Sequence, residues 1–187
     1  MTEESTQEKS GLNENGIIFL SGGVEQGTAE SVCREIIEYN LNKKVSRIQM
    51  IVNSPGGSCA DGFAIIDMME WSQIPIYTIG IGMVASMGLL ILMAGHKGRR
   101  VVTPNTSLLS HRFSSMSWGN HSQLVANRKI EDQLHERIVN HYLQHTSVTD
   151  KTALEQSILG DVDYWMDSKE ALDFGLIDIV EPLKQAA

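Results

Sequence analysis

Short apolar runs bounded by glycine, proline or polar clusters alternate along the chain with longer segments whose apolar residues recur every three or four positions. Gly16-Ile17-Ile18-Phe19-Leu20, closed by Gly22-Gly23, has the pattern of a buried strand. A helix is predicted from about Thr28 through Val32, Ile36 and Ile37 to near Asn42. Ile48 to Val52 predicts a second strand, and Asn53-Ser54-Pro55-Gly56-Gly57 a turn. Phe63, Ile66 and Met69 then repeat at helical spacing, which predicts a helix from about Cys59 to Gln73. Ile76 to Ile81 reads as a third strand, leading through Gly82 into a helix from about Ser86. Two further short strands fit Arg100 to Thr103 and Ser107 to Ser110.

Strand and helix taken in turn imply an α/β fold with right-handed crossovers and a largely parallel sheet covered on both faces. From about His121 to His145 the character changes: glycine and proline are absent, and Ile130, Leu134, Ile138 and Tyr142 repeat every four residues. Such a helix, roughly seven turns long, reaches beyond its own core and is a candidate interface element. Thr149 is expected to open a short helix through Leu154 and Ile158, closed by Gly160. Asp167 and Glu170 have the spacing of a capping box before a helix that stops at Gly175, and Leu176 to Val180 reads as a last strand.

Composition narrows the reading. With 187 residues and 42% hydrophobic content, the chain has room for one core. Residues 1–15 are polar and Glu-rich and read as a flexible arm rather than a secretory signal, leaving 16–187 as a single domain. The apolar stretch from Ile74 to Gly95 carries Pro75, Gly80, Gly82, Ser86 and Gly88, so a strand, a tight turn and a buried helix explain it better than a membrane span. A net charge of −8 disfavours nucleic acid and anionic membrane as main partners. Cys33 and Cys59 lie far apart in no metal-binding spacing and are expected to be reduced, which suits a reducing, cytoplasmic setting.

A serine becomes a nucleophile when a base takes its proton and donors stabilise the ensuing oxyanion. Ser86, exposed at a helix start in Gly82-Met83-Val84-Ala85-Ser86-Met87-Gly88, has small neighbours that let a substrate backbone approach. The N–H of Met87 is the first candidate oxyanion donor, and that of Gly57, at the end of a neighbouring parallel strand, the second. The bland alternative is that Ser86 merely caps a buried helix. The run is not a G-x-S-x-G elbow.

His111, following a short apolar strand, is the best-placed base, since imidazole changes protonation near neutral pH. His96 lies in a Gly-Lys-Gly turn, while His121, His135, His141 and His145 fall on or near the long helix, where solvated or interface roles are expected. His141 and His145 are four apart, but no Glu follows His141, so a metal is not expected. For a third member, Asp167 is occupied as a cap and Asp178 lies in a strand, which leaves Asp161 and Asp163 open.

These residues resemble the proteolytic subunit of the ATP-dependent Clp protease, the ClpP family, from about Gly16 to Val180. The resemblance rests on Asn53-Ser54-Pro55-Gly56-Gly57, Ala85-Ser86-Met87-Gly88, Ala94-Gly95-His96-Lys97-Gly98, Pro104-Asn105, His111, and Glu170-Ala171 through Gly175-Leu176-Ile177-Asp178. It implies Ser86 as nucleophile, His111 as base, Asp163 as orienting carboxylate, and the amides of Gly57 and Met87 as the oxyanion hole, with no cofactor or metal. It further implies the crotonase-like fold of repeated β-β-α units and a handle helix at about 121–145. The expected assembly is a homo-oligomer of heptameric rings stacked as a tetradecamer, which degrades unfolded polypeptides delivered by a partner Clp ATPase of the AAA+ class. The chain departs from the family pattern at Arg112-Phe113, where Gln-Pro is usual, at Ser114–Gly119, where a Gly-rich strand is usual, and at Val162, where an arginine is frequent. It reads as a divergent member. Two other readings stand beside the peptidase: a crotonase-type enzyme acting on acyl-CoA, and a catalytically silent subunit of a mixed ring.

Overall fold

The computed structural model describes residues 9–182. In chain order these form α1 (Lys9–Glu14), β1 (Ile17–Ser21), α2 (Gln26–Asn42), β2 (Ile48–Ser54), α3 (Cys59–Trp71), β3 (Ile76–Ala85) and α4 (Met87–Met93). There follow β4 (Arg100–Val102), β5 (Ser107–Ser110), α5 (His121–His145), α6 (Lys151–Gln156), β6 (Tyr164–Met166), α7 (Ser168–Asp173) and β7 (Ile179–Val180). The expected flexible arm thus includes a short helix at its end, while residues 1–8 fall outside the described range.

The strands form one mostly parallel sheet in the order β1-β2-β3-β4-β7, with β5 joining β3 and β6 joining β5. All pairs are parallel except β5–β6. Burial alternates along β1, β2 and β4, and along β3 as far as Ile81. Ile18, Leu20, Ile48, Met50, Val52 and Val102 are fully buried, whereas the alternate residues Ile51, Tyr77, Ile79 and Val101 are only half-buried and Phe19 is exposed. Helices therefore cover one face, not both as expected. The runs mislead because both faces carry apolar side chains, so period-2 burial hides behind a continuous apolar sequence.

On the covered face α4 is buried at every residue, which accounts for the apolar stretch between Ile74 and Gly95. No helix among the described residues is long and apolar enough to cross a membrane. Gly88 lets this helix press against β2: a Cβ there would lie 2.9 Å from the Ser54 carbonyl oxygen.

The long helix α5 spans the predicted residues and opens on a capping box between Asn120 and Gln123. Its buried residues, Ile138, Val139, His141 and Tyr142, all lie in its last turns, and the preceding turns project from the core. The next helix is capped by Asp150, whose side chain accepts from the Ala153 N–H, rather than by Thr149, and it ends at Ser157 rather than at Gly160. The capping box of Asp167 and Glu170 is present, with Gly175 at φ 73 just beyond that helix. The last strand is shorter than expected, and β6 has no counterpart among the expected strands.

Candidate active site

The strand ladder brings three distant segments together. Ala85 pairs with Leu109 across β3–β5, and Ser110 pairs with Tyr164 across β5–β6. Ser86 directly follows the first pair, His111 follows Ser110, and Asp163 precedes Tyr164. Register alone therefore sets the three side chains at one edge of the ladder.

Two irregularities, one in β3 and one just beyond its end, aim the serine. The pairing of Val52 with Gly80 gives way to that of Ser54 with Val84, so β3 carries extra residues at a bulge around Gly82, which has φ 62. The Asn53 side chain clasps this bulge by accepting from the Met83 N–H at 3.2 Å. Ser86 itself has φ 54 and ψ −122, a conformation that costs a non-glycine residue of order 1–3 kcal/mol. It is a sharp strand-to-helix turn, held by the Ser86 N–H donating to the Leu109 carbonyl at 3.0 Å. An elbow is thus built with Val84 where the familiar motif has its first glycine.

Ser86 is half-buried rather than exposed. Its side chain makes no cap to the helix that follows, which removes the reading of Ser86 as a simple N-cap. Instead Ser86 Oγ shares a 2.8 Å hydrogen bond with His111 Nε2. On the other side of the ring, His111 Nδ1 lies 3.2 Å from Asp163 Oδ1. Geometry therefore separates the two aspartates left open by the sequence, because Asp161 turns away to pair with Arg112 at 2.7 Å. The Asp163 side chain is 57% exposed, and His111 is the partner its carboxylate has among the described residues.

The two candidate oxyanion donors lie on loops pressed against each other. A Cβ on Gly56 would sit 2.7 Å from the Ala85 carbonyl oxygen and 2.9 Å from the Met87 nitrogen, so only glycine permits this approach. Gly57, at φ 150, forms a bridge to Val24 that uses the Gly56 carbonyl and the Ser58 N–H and leaves its own N–H out of the pairing. Met87 is the first residue of α4, where an N–H has no partner within the helix.

The candidate base is braced from below. Ser110, next to His111, shares a 2.6 Å hydrogen bond with the hydroxyl of Tyr142, which is fully buried, and burial pushes that phenol up to about 12. Beyond His111 the chain has no regular structure to Gly119, and Met116 and Trp118 are exposed. Glu131 of α5 accepts from the hydroxyls of Ser115 and Ser117, each at 2.7 Å, fastening this strap to the helix. Those two bonds, Ser115 first, hold the Glu131 carboxyl below its ordinary range.

Of the histidines expected in solvated or interface roles, His121 is exposed, His135 and His145 are half-buried, and His141 is buried. His141 shares a 2.9 Å hydrogen bond with the Leu90 carbonyl and stacks on His145 with ring centroids 4.4 Å apart. His135 pairs with Glu155 at 2.9 Å, and His96 packs against Tyr77. Asp178, just before β7, belongs to a structural pair: both its oxygens accept from Arg100, at 2.9 and 2.6 Å. The thiols of Cys33 and Cys59 are free and partly buried, and burial raises both pKa values. The bonds of Tyr142 to Ser110 and of Arg112 to Leu159 and Asp161 are not legible in the sequence, the first because the spacing of Tyr142 matches any core position and the second because one arginine beside a histidine carries no periodic signal.

The Clp protease family model matches residues 1–183. The chain is 36% identical over 180 residues to the ATP-dependent Clp protease proteolytic subunit of Deinococcus radiodurans, covering 95% of this chain and 86% of that protein. It is 33% identical over 169 residues to the ATP-dependent Clp protease proteolytic subunit 2 of Cutibacterium acnes, covering 90% of this chain and 78% of that one. With its sheet, its serine elbow and these relatives in view, the chain belongs to the Clp protease family of serine endopeptidases.

Proposed function

We propose that Ser86 is the nucleophile of this endopeptidase, His111 its general base, Asp163 the carboxylate that orients the imidazole, and the N–H groups of Gly57 and Met87 the oxyanion donors. The observation that carries this reading is the 2.8 Å hydrogen bond from Ser86 Oγ to His111 Nε2 at a strained turn. As Oγ attacks the scissile carbonyl carbon, its proton passes to Nε2 while Nδ1–H remains bonded to Asp163. Electrons of the carbonyl π bond collect on oxygen between the two amides. Collapse of the tetrahedral adduct breaks the C–N bond, and the imidazolium gives its proton to the leaving amine. Water, deprotonated by the same imidazole, then attacks the acyl-enzyme and restores the free Oγ–H.

A crotonase-type enzyme would use paired amides in the same way but has no need for a hydroxyl bonded to an imidazole. The bonded pair equally speaks against a silent subunit.

The substrates are unfolded polypeptides, the chamber is a ring assembly of stacked heptamers in the cytoplasm, and a partner AAA+ ATPase feeds it. Support comes from the relatives, named as subunits of ATP-dependent proteases, and from the projecting turns of α5, which carry exposed Leu124, Val125 and Ile130. The test is hydrolysis of a short fluorogenic peptide together with light scattering. Ser86→Ala should assemble as the wild type does and cleave nothing; peptide cleavage by that variant would refute the assignment.

A further inference from the structure

We propose that Arg112 is a positioning residue that holds the loop bearing Asp163 in register with His111. The proposal rests on Asp163 orienting His111. It starts from an imbalance in the site. Ser86 is fixed by the turn and by Leu109, and His111 follows a strand braced by Tyr142. Asp163 is more than half exposed and, among the described residues, accepts no backbone N–H that would hold its carboxylate. Its place is set by the chain that carries it, and residues 157–163 have neither helix nor strand.

The β5–β6 ladder ends at the Ser110–Tyr164 pair, one residue short of both His111 and Asp163. Arg112 ties the two segments just past that end. Its Nε donates to the Leu159 carbonyl at 3.1 Å and its Nη1 to Asp161 Oδ1 at 2.7 Å. A planar guanidinium makes these two bonds in fixed relative directions, which a point charge on a flexible stem does not. The residue next to the base thereby grips the loop at two points, four and two residues before the acid. A pair as exposed as Arg112–Asp161 adds little stability, so its effect is on geometry rather than on folding.

The experiment compares Arg112→Ala, Arg112→Lys, Asp161→Ala and Asp163→Asn with the wild type, in the assembled full-length protein, on a short fluorogenic peptide. Loss of Arg112 should lower kcat about tenfold, as a displacement of under an ångström in an orienting group does, with KM within about twofold. Arg112→Lys should recover part of the loss, and Asp161→Ala, which keeps the bond to Leu159, should show a smaller one. Asp161→Ala also keeps the test open if Arg112→Ala does not fold. Wild-type kcat in both Arg112→Ala and Asp161→Ala, beside a depressed Asp163→Asn, would overturn the role of Arg112 alone. An undiminished Asp163→Asn would instead overturn the orienting role of Asp163 and this proposal with it. Equal falls in Arg112→Ala and Arg112→Lys with KM rising in step would mark a merely structural residue and also refute it.

Discussion

Ser110 and Tyr142 share a 2.6 Å hydrogen bond in the fully buried space between β5 and α5, one residue from the candidate base. The pair couples the root of the projecting helix to the strand that aims His111. Tyr142→Phe should leave the Ser110 hydroxyl buried without a partner and cost about 1–3 kcal/mol, measured by urea unfolding. Adding Ser110→Ala should restore most of that loss, since removing both partners leaves no unsatisfied group. Independent, additive losses from the two substitutions would show that the hydrogen bond does not couple them.

Arg100 and Asp178 form another largely buried polar link, joining β4 to the segment before β7. The Arg100 side chain is 5% exposed, and its Nη1 also donates to the His145 carbonyl at 2.7 Å. Asp178→Ala would strand this guanidinium and should destabilise the fold by roughly 3–5 kcal/mol. Burial raises the Asp178 pKa, but the bonds from Arg100 and the Gly98 N–H outweigh it and hold the carboxyl below its ordinary value. A depressed carboxylate contributes stability that is complete above the unfolded pKa and is lost as pH falls through the lower folded one. Acid unfolding of the wild type should therefore include a component below the ordinary aspartate range that Asp178→Ala lacks; identical acid limbs would contradict it.

His141 predicts pH dependence in a higher window. Burial, and then the neighbouring His145, lower its pKa from 6.5 to about 4, against the opposing hydrogen bond to Leu90. The unfolded chain takes up a proton that the folded one refuses, so stability should fall as pH drops from about 6.5 to about 4 and level off below. The span corresponds to roughly 3 kcal/mol. His141→Gln, which keeps a donor towards Leu90, should flatten that slope in urea titrations across the window. An unchanged slope would show that other groups carry it.

Much of this architecture is legible in the residues because period and punctuation agree. The strands at Ile17, Ile48 and Ile76, the fully buried α4 and the capping box at Asp167 all follow from local pattern. What escapes is tertiary. Nothing in Tyr164-Trp165-Met166 distinguishes a three-residue strand from a loop, because its ladder partner lies more than fifty positions away. Asp161 and Asp163 are equivalent as composition; only the register of Ser110 against Tyr164 points one at His111 and leaves the other to Arg112. The open face of the sheet escapes for a related reason. Phe19, Ile51, Ile79 and Val101 are as apolar as the buried residues they alternate with, so the pattern alone does not show which face the helices cover.

Covalent labelling of the hydroxyl at position 86 tests the central claim most directly. The assembled protein, treated with a fluorophosphonate probe and digested for peptide mapping by mass spectrometry, should carry the adduct on Ser86 alone, and His111→Ala should abolish labelling while leaving assembly intact. Modification at another serine, or an intact and assembled wild-type protein that takes up no probe, would contradict the account.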